Sequence, residues 1–159
     1  MSKSSTMFLK FVLIVLALAV LAICVFALPA LWRGVADDEV FGGWVRGIII
    51  GMYVSGIPFY YALYQSFKLL NLIDRNNAFS DQAVKALRMI KFSALAVSAV
   101  YTATMPFFFL IGEYDDAPGV IVIGMTVIFA SFVVAVFAYV LQKLLRNAID
   151  IKIENDLTV

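Results

Sequence analysis

Four long apolar runs divide the chain. Residues 11–32, 47–67, 92–111 and 120–141 contain no Asp, Glu, Lys or Arg. A bilayer core takes about 20 consecutive apolar residues of α-helix, so each run predicts one membrane crossing. With flanking residues the expected spans are 8–32, 47–67, 90–111 and 119–141. Residues 142–159 follow as a C-terminal extension and tail. The pattern predicts an all-α membrane protein, a four-transmembrane-helix bundle forming one domain over 1–159. The longest interruption, residues 69–91, joins the two helical pairs.

Composition agrees with that class. The 159 residues are 64% hydrophobic and 14% charged, with a mean hydropathy of +0.98. A soluble domain is typically about 45–50% apolar and about 25% charged. The net charge of +1 gives no electrostatic reason to expect nucleic-acid binding. There is no histidine and a single cysteine, Cys24. This removes Ser–His and Cys–His nucleophile pairs, the commonest zinc ligand and any intrachain disulfide. Neither a phosphate-binding motif nor a metal-ligand cluster is present. No cofactor, metal or catalytic residue is expected, and the chain is not expected to be an enzyme.

Charge also orients the spans. Lys3, Lys10, Lys68, Arg75, Lys85, Arg88, Lys91, Lys143, Arg146 and Lys152 fall on one side, and only Arg33 and Arg46 on the other. The positive-inside rule places the richer side in the cytoplasm. Both termini and the middle connection are therefore expected inside (N-in/C-in). The acids Asp37, Asp38, Glu39, Glu113, Asp115 and Asp116 fall outside.

Some residues within the runs bear on packing. A signal-peptide site at Val25-Phe26-Ala27 and a lipoprotein-like box ending at Cys24 compete with a retained first helix. The length of the apolar run and the bulky Ile23 favour retention. Gly47, Gly51 and Ser55 recur every four residues, a face for close helix approach within the bundle or between copies. Gly56 and Pro58 are expected to interrupt the second helix, since proline lacks an amide hydrogen and crowds the carbonyl of Val54. Tyr60, Tyr61 and Tyr64 fit an aromatic belt at the membrane interface; lining of a polar cavity is the alternative.

The middle connection carries strong local signals. Asn76 and Asn77 are turn formers. Ser80 is a good N-cap, with Phe79 and Val84 at hydrophobic-staple positions. Asp81 suits the positive helix start and stands four residues before Lys85, the favourable order for a pair. The third helix is thus expected to begin near Asp81, as a cytoplasmic amphipathic extension. Lys85, Arg88 and Lys91 lie along one side, beside the apolar stripe of Val84, Leu87 and Ile90. Such a face can bind lipid headgroups or dock a protein.

Two motifs carry a family resemblance. Ala78-Phe79-Ser80 is followed by Leu87-Arg88-Met89-Ile90, and the chain ends in Glu154-Asn155-Asp156-Leu157-Thr158-Val159. With the four-helix layout, these resemble the bacterial membrane-protein family of domain of unknown function 2975. That family has no established biochemical activity. Its members are often encoded beside a small helix-turn-helix regulator of the Xre type. The resemblance implies a bacterial inner-membrane location and a membrane partner or sensor for such a regulator, with no direct nucleic-acid contact by this chain.

The residues and the resemblance together predict a non-enzymatic membrane protein. Its expected interaction surface is Lys85, Arg88 and Lys91 with Glu154, Asn155, Asp156 and Leu157, the tail being either a frayed terminus or an extended segment that adds to a sheet edge or docks in a pocket. The alternative is a small channel or transporter subunit using the Pro58 and Pro106 helices. The spans lack the ionisable residues that usually mark an ion path.

Overall fold

The structure is a computed structural model that describes residues 3–35 and 37–158. Val159, the last residue of the terminal motif, lies outside the described residues. Four helices are long and apolar enough to cross a membrane: α1 (Lys3–Gly34), α2 (Glu39–Asp74), α3 (Asp81–Tyr114) and α4 (Pro118–Leu157). Their 32, 36, 34 and 40 residues exceed every apolar run. At about 1.5 Å per residue, α4 is about 60 Å long, twice a hydrocarbon core of about 30 Å. The excess lies in charged helical ends outside the apolar runs.

The turns explain why the helices stop where they do. Asp38 caps α2, its Oδ1 accepting from the Phe41 amide at 3.0 Å. Ser80 caps α3 by accepting from the Ala83 amide at 3.3 Å, and its hydroxyl donates to the Asn77 carbonyl at 2.8 Å. α2 and α3 end alike. Asn76 and Asp116 adopt positive φ of 57° and 49°. The amides that follow, Asn77 and Ala117, reach back to Leu72 O at 2.8 Å and Gly112 O at 2.9 Å. This is the Schellman closure, built here on Asn and Asp where glycine is commonest. Phe79 is more than half exposed while Val84 is buried, so the predicted staple leaves most of the ring open.

Packing runs in sequence order. α3 lies between α2 and α4, and α1 packs along α2. The predicted small-residue face of α2 meets α3. A Cβ on Gly47 would lie 3.0 Å from the Phe107 ring, one on Gly51 would collide with Thr104, and Ser55 is buried. Gly124 plays the same part on α4, where a Cβ would lie 3.1 Å from Phe108 and 3.2 Å from Met105. Small residues suit these contacts because lipid competes equally for apolar side chains, leaving close packing and hydrogen bonds to hold the helices.

α2 differs from expectation at its centre. It stays a single α-helix through Gly56 and Pro58. α1 carries the irregularity instead, a π-helical turn over Ile23–Ala27 immediately before Pro29. The chain is helical through both of the processing positions considered above.

Candidate functional site

α1 buries little. Among its described residues only Thr6 and Leu28 are fully enclosed. A line of polar and aromatic contacts from α2 attaches it instead. Arg46, Tyr53, Tyr60, Phe67 and Asp74 stand seven residues apart, and all five face α1. Arg46 Nη2 donates to the Trp32 carbonyl at 3.4 Å, with the guanidinium 5.0 Å from the Trp32 ring centroid. Tyr53 Oη donates to Cys24 O at 2.5 Å, and Tyr60 Oη to Ala17 O at 2.7 Å. Lys10 Nζ lies 6.0 Å from the Phe67 centroid and bonds Asp74 Oδ2 at 2.8 Å. The Thr6 hydroxyl completes this clasp, donating to Asp74 Oδ1 at 2.5 Å.

The ladder accounts for the π turn. On α1 the partners Lys10, Ala17 and Cys24 are also seven apart, but the step from Cys24 to Trp32 is eight. A π turn inserts one residue, so the face that meets α2 is restored beyond it. Bonding within the turn follows from Pro29. The Leu28 amide reaches Ile23 O, five residues back. Next in that register is Cys24 O, whose donor would be the amide of residue 29, and proline has none. The Tyr53 hydroxyl supplies the missing bond. Tyr60 therefore links two helices and does not serve a headgroup belt, whereas Tyr61 and Tyr64 remain exposed.

Asp74 closes α2 at the helix end where a carboxylate is disfavoured by the dipole. It lies about two turns beyond the apolar run. The Lys10 hydrogen bond, then that from Thr6, hold its carboxyl below the usual carboxylate range.

The remaining helix ends at the side carrying both termini form a second assembly. Leu70 and Leu72 of α2, Ala83, Val84, Ala86 and Leu87 of α3, and Ile149 of α4 are buried. Asp81 pairs with Arg146 of α4 at 2.8 Å, in place of the expected Lys85. Lys85 and Arg88 are exposed. Lys91 is half-buried, its Nζ 4.5 Å from the Phe92 centroid and 5.2 Å from that of Tyr139.

The terminal segment is helical, not extended. Glu154, Asn155, Asp156 and Leu157 form the last turn of α4. Every described residue from Asp150 onward is exposed. The two halves of the predicted surface are consequently separate. Lys85, Arg88 and Lys91 lie on the membrane side of the Asp81–Arg146 pair. Residues 154–157 lie about 12 to 16 Å beyond Arg146 along the helix axis, at about 1.5 Å per residue. Ile151, Ile153 and Leu157 are open, at 64%, 54% and 81% exposure. Ile153 and Leu157 continue, at four-residue spacing, the face on which Ile149 is buried.

A cavity of about 300 Å³ lies among all four helices, lined chiefly by apolar residues, with Cys24, Ser55, Tyr101 and Ser131 as its polar members. Among the described residues, no three His, Cys, Asp or Glu side chains gather where a metal ion could be held.

A sequence model of the family described as "Protein of unknown function (DUF2975)" matches residues 43–159. The chain is 52% identical over 160 residues to a protein of Bacillus subtilis (strain 168) described as "Uncharacterized membrane protein YoaS", covering 100% of both chains. No solved structure matches it.

Proposed function

The chain belongs to the DUF2975 family of membrane proteins of unknown function, and from that premise we propose that it is a non-enzymatic inner-membrane docking protein for a small cytoplasmic helix-turn-helix regulator. Both termini and the α2–α3 turn face the cytoplasm in this reading, because ten of the twelve Lys and Arg residues flank the spans on that side. The observation that carries it is the exposed last part of α4, from Asp150 onward. Leu157 lies sixteen residues past Leu141, so the helix projects about 24 Å beyond its apolar run. Lipid does not reach that far, yet Ile153 and Leu157, four residues apart on one face, are uncovered; Ile151 is exposed on the opposite side. Apolar side chains grouped on a helix in water mark a contact surface.

The helical tail changes the expected mode of docking. An exposed amphipathic helix places apolar side chains into a partner's groove, where an extended strand would add to a sheet edge. Asp150, Glu154 and Asp156 border those apolar positions and suit a partner with basic residues around its groove. Lys85 and Arg88 offer a separate cationic patch about three to four helical turns away. A regulator touching both would have to span the Asp81–Arg146 pair.

Affinity capture with the intact protein tests this reading. Capture of a small helix-turn-helix protein, lost on ending the chain after Asp150 and weakened by Lys85→Glu/Arg88→Glu/Lys91→Glu, is the expected result. Undiminished capture by both variants refutes the proposed surface.

A further inference from the structure

The seam between α3 and α4 concentrates positive charge where the apolar runs end. Val84 and Arg88 of α3, with Gln142, Lys143, Arg146 and Asn147 of α4, line a cavity of about 560 Å³. Lys91 stands three residues from Arg88, across from Tyr139, and the Lys143 ammonium lies 5.0 Å from the Tyr139 centroid. Four cations from two facing helices thus meet within about two turns. The acids near them are few. Asp81 binds Arg146 at the outer edge, and Asp150 stands one turn beyond Arg146. Arg88, Lys91 and Lys143 have no carboxylate partner among the described residues.

Like charges across a helix seam repel, and docking of α3 on α4 brings these together. Two aromatic faces moderate the repulsion by drawing Lys91 and Lys143 inward. They do not neutralise it. The concavity falls within the usual size of ligand sites. Arginine matches phosphate with a planar fork of donors, and lysine adds a compact charge. Basic pockets between transmembrane helices at the membrane boundary suit anionic headgroups.

We propose that the α3–α4 seam is a binding site for a phosphate group, held by Arg88, Lys143 and Arg146, with Lys91 at its membrane edge. The phosphate comes from an anionic phospholipid or from a free phosphate compound. Binding relieves the repulsion across the seam and so tightens α4 against α3. The site is independent of the exposed end of α4.

The test uses the intact protein in phosphatidylcholine nanodiscs, with thermal unfolding as the readout. One arm replaces part of the lipid with phosphatidylglycerol. The other titrates inorganic phosphate against chloride at matched ionic strength. Arg88→Gln/Lys143→Gln removes two seam charges. Lys85→Gln/Lys152→Gln removes two charges from the same helices outside the cavity. Arg88→Lys/Lys143→Arg keeps the charge. The expected result is a rise in Tm that loses at least half its size in the first variant and persists in the other two. A rise with phosphatidylglycerol alone assigns the site to lipid; a saturable rise with inorganic phosphate assigns it to a free phosphate. No rise in either arm, or equal loss in the Lys85/Lys152 control, overturns the proposal. Should Arg88→Gln/Lys143→Gln fail to fold, Lys143→Gln alone is read by the same criteria.

Discussion

Removing one hydroxyl from α2 should matter more at Tyr53 than at Tyr60. Both tyrosines donate to α1 carbonyls at similar distances, 2.5 and 2.7 Å, and Phe keeps the ring in either case. The acceptors differ. Ala17 stands in regular α-helix, where the amide four residues on already serves its carbonyl. Cys24 stands in the π turn, where Leu28 bonds Ile23 and Pro29 brings no hydrogen. Interhelical hydrogen bonds in membranes contribute about 0.6 kcal/mol on average and about 1.7 at most. An unsatisfied buried carbonyl costs about 1–3 kcal/mol. Tyr53→Phe should therefore destabilise by about 1.5–2 kcal/mol and Tyr60→Phe by about 0.5. Unfolding in mixed micelles of increasing dodecyl sulfate content, followed by circular dichroism, reads the difference. Pro29→Ala supplies an amide hydrogen to the same turn, so the Tyr53→Phe penalty should shrink in that background, a coupling that a double-mutant cycle measures. A Tyr60→Phe cost equal to or above that of Tyr53→Phe refutes the reasoning, as does a Tyr53→Phe cost indifferent to Pro29→Ala.

Other outcomes follow from the same geometry. Gly51→Val drives a side chain into Thr104 and should cost about 1–3 kcal/mol as an overpacked contact, whereas Gly43→Val meets open space and should lower the same unfolding midpoint far less. Asp74→Asn should loosen the N-terminal part of α1 and raise protease access around Lys3 and Lys10. The lowered pKa of Asp74 fixes the sign with pH: its contribution is complete above the unfolded carboxylate value of about 3.9 and disappears as pH falls through the lower folded value, so the wild-type clasp should open only in acid. In a Cys24→Ala background, a membrane-impermeant maleimide applied to intact cells should label Asp116→Cys and spare Asp156→Cys until the cells are lysed; the reverse pattern contradicts the orientation.

Much of the fold was legible because the bilayer makes strict demands. Charge-free runs longer than a hydrocarbon core have few alternatives to helix, and Ser80 marked the start of α3 through ordinary capping chemistry. The face of Gly47, Gly51 and Ser55 was visible as a spacing, and the structure sets it against α3 within the bundle. Misreadings arose where a local rule met a competing tertiary contact. Asp81 had Lys85 one turn away, but α4 brings Arg146 to it. Pro58 suggested an interruption, yet α2 absorbs it, while Pro29 coincides with the π turn in α1. The acidic tail with its closing β-formers left a frayed or an extended terminus open, and helix propagated through 154–157 from the long run before. The ladder on α2 was missed although its signal was present. Arg46, Tyr53, Tyr60, Phe67 and Asp74 repeat every seven residues, and such a period marks one helix face. Their mixed chemistry hid it, because a search for apolar or small residues passes over a stripe of Arg, Tyr, Phe and Asp. Charge counting along the chain does not reveal the nearness of Lys143 and Arg146 to Arg88, because it depends on the register of α3 against α4.

Photo-crosslinking from the end of α4 tests the docking account most directly. A photoreactive amino acid replaces Ile153 in the intact protein in living cells, with a second version at the membrane-facing Tyr64 as the reference. The account predicts a crosslink from position 153 to a small helix-turn-helix protein, identified by mass spectrometry and absent from position 64. Crosslinks from 153 only to lipid, or only to this chain itself, contradict it.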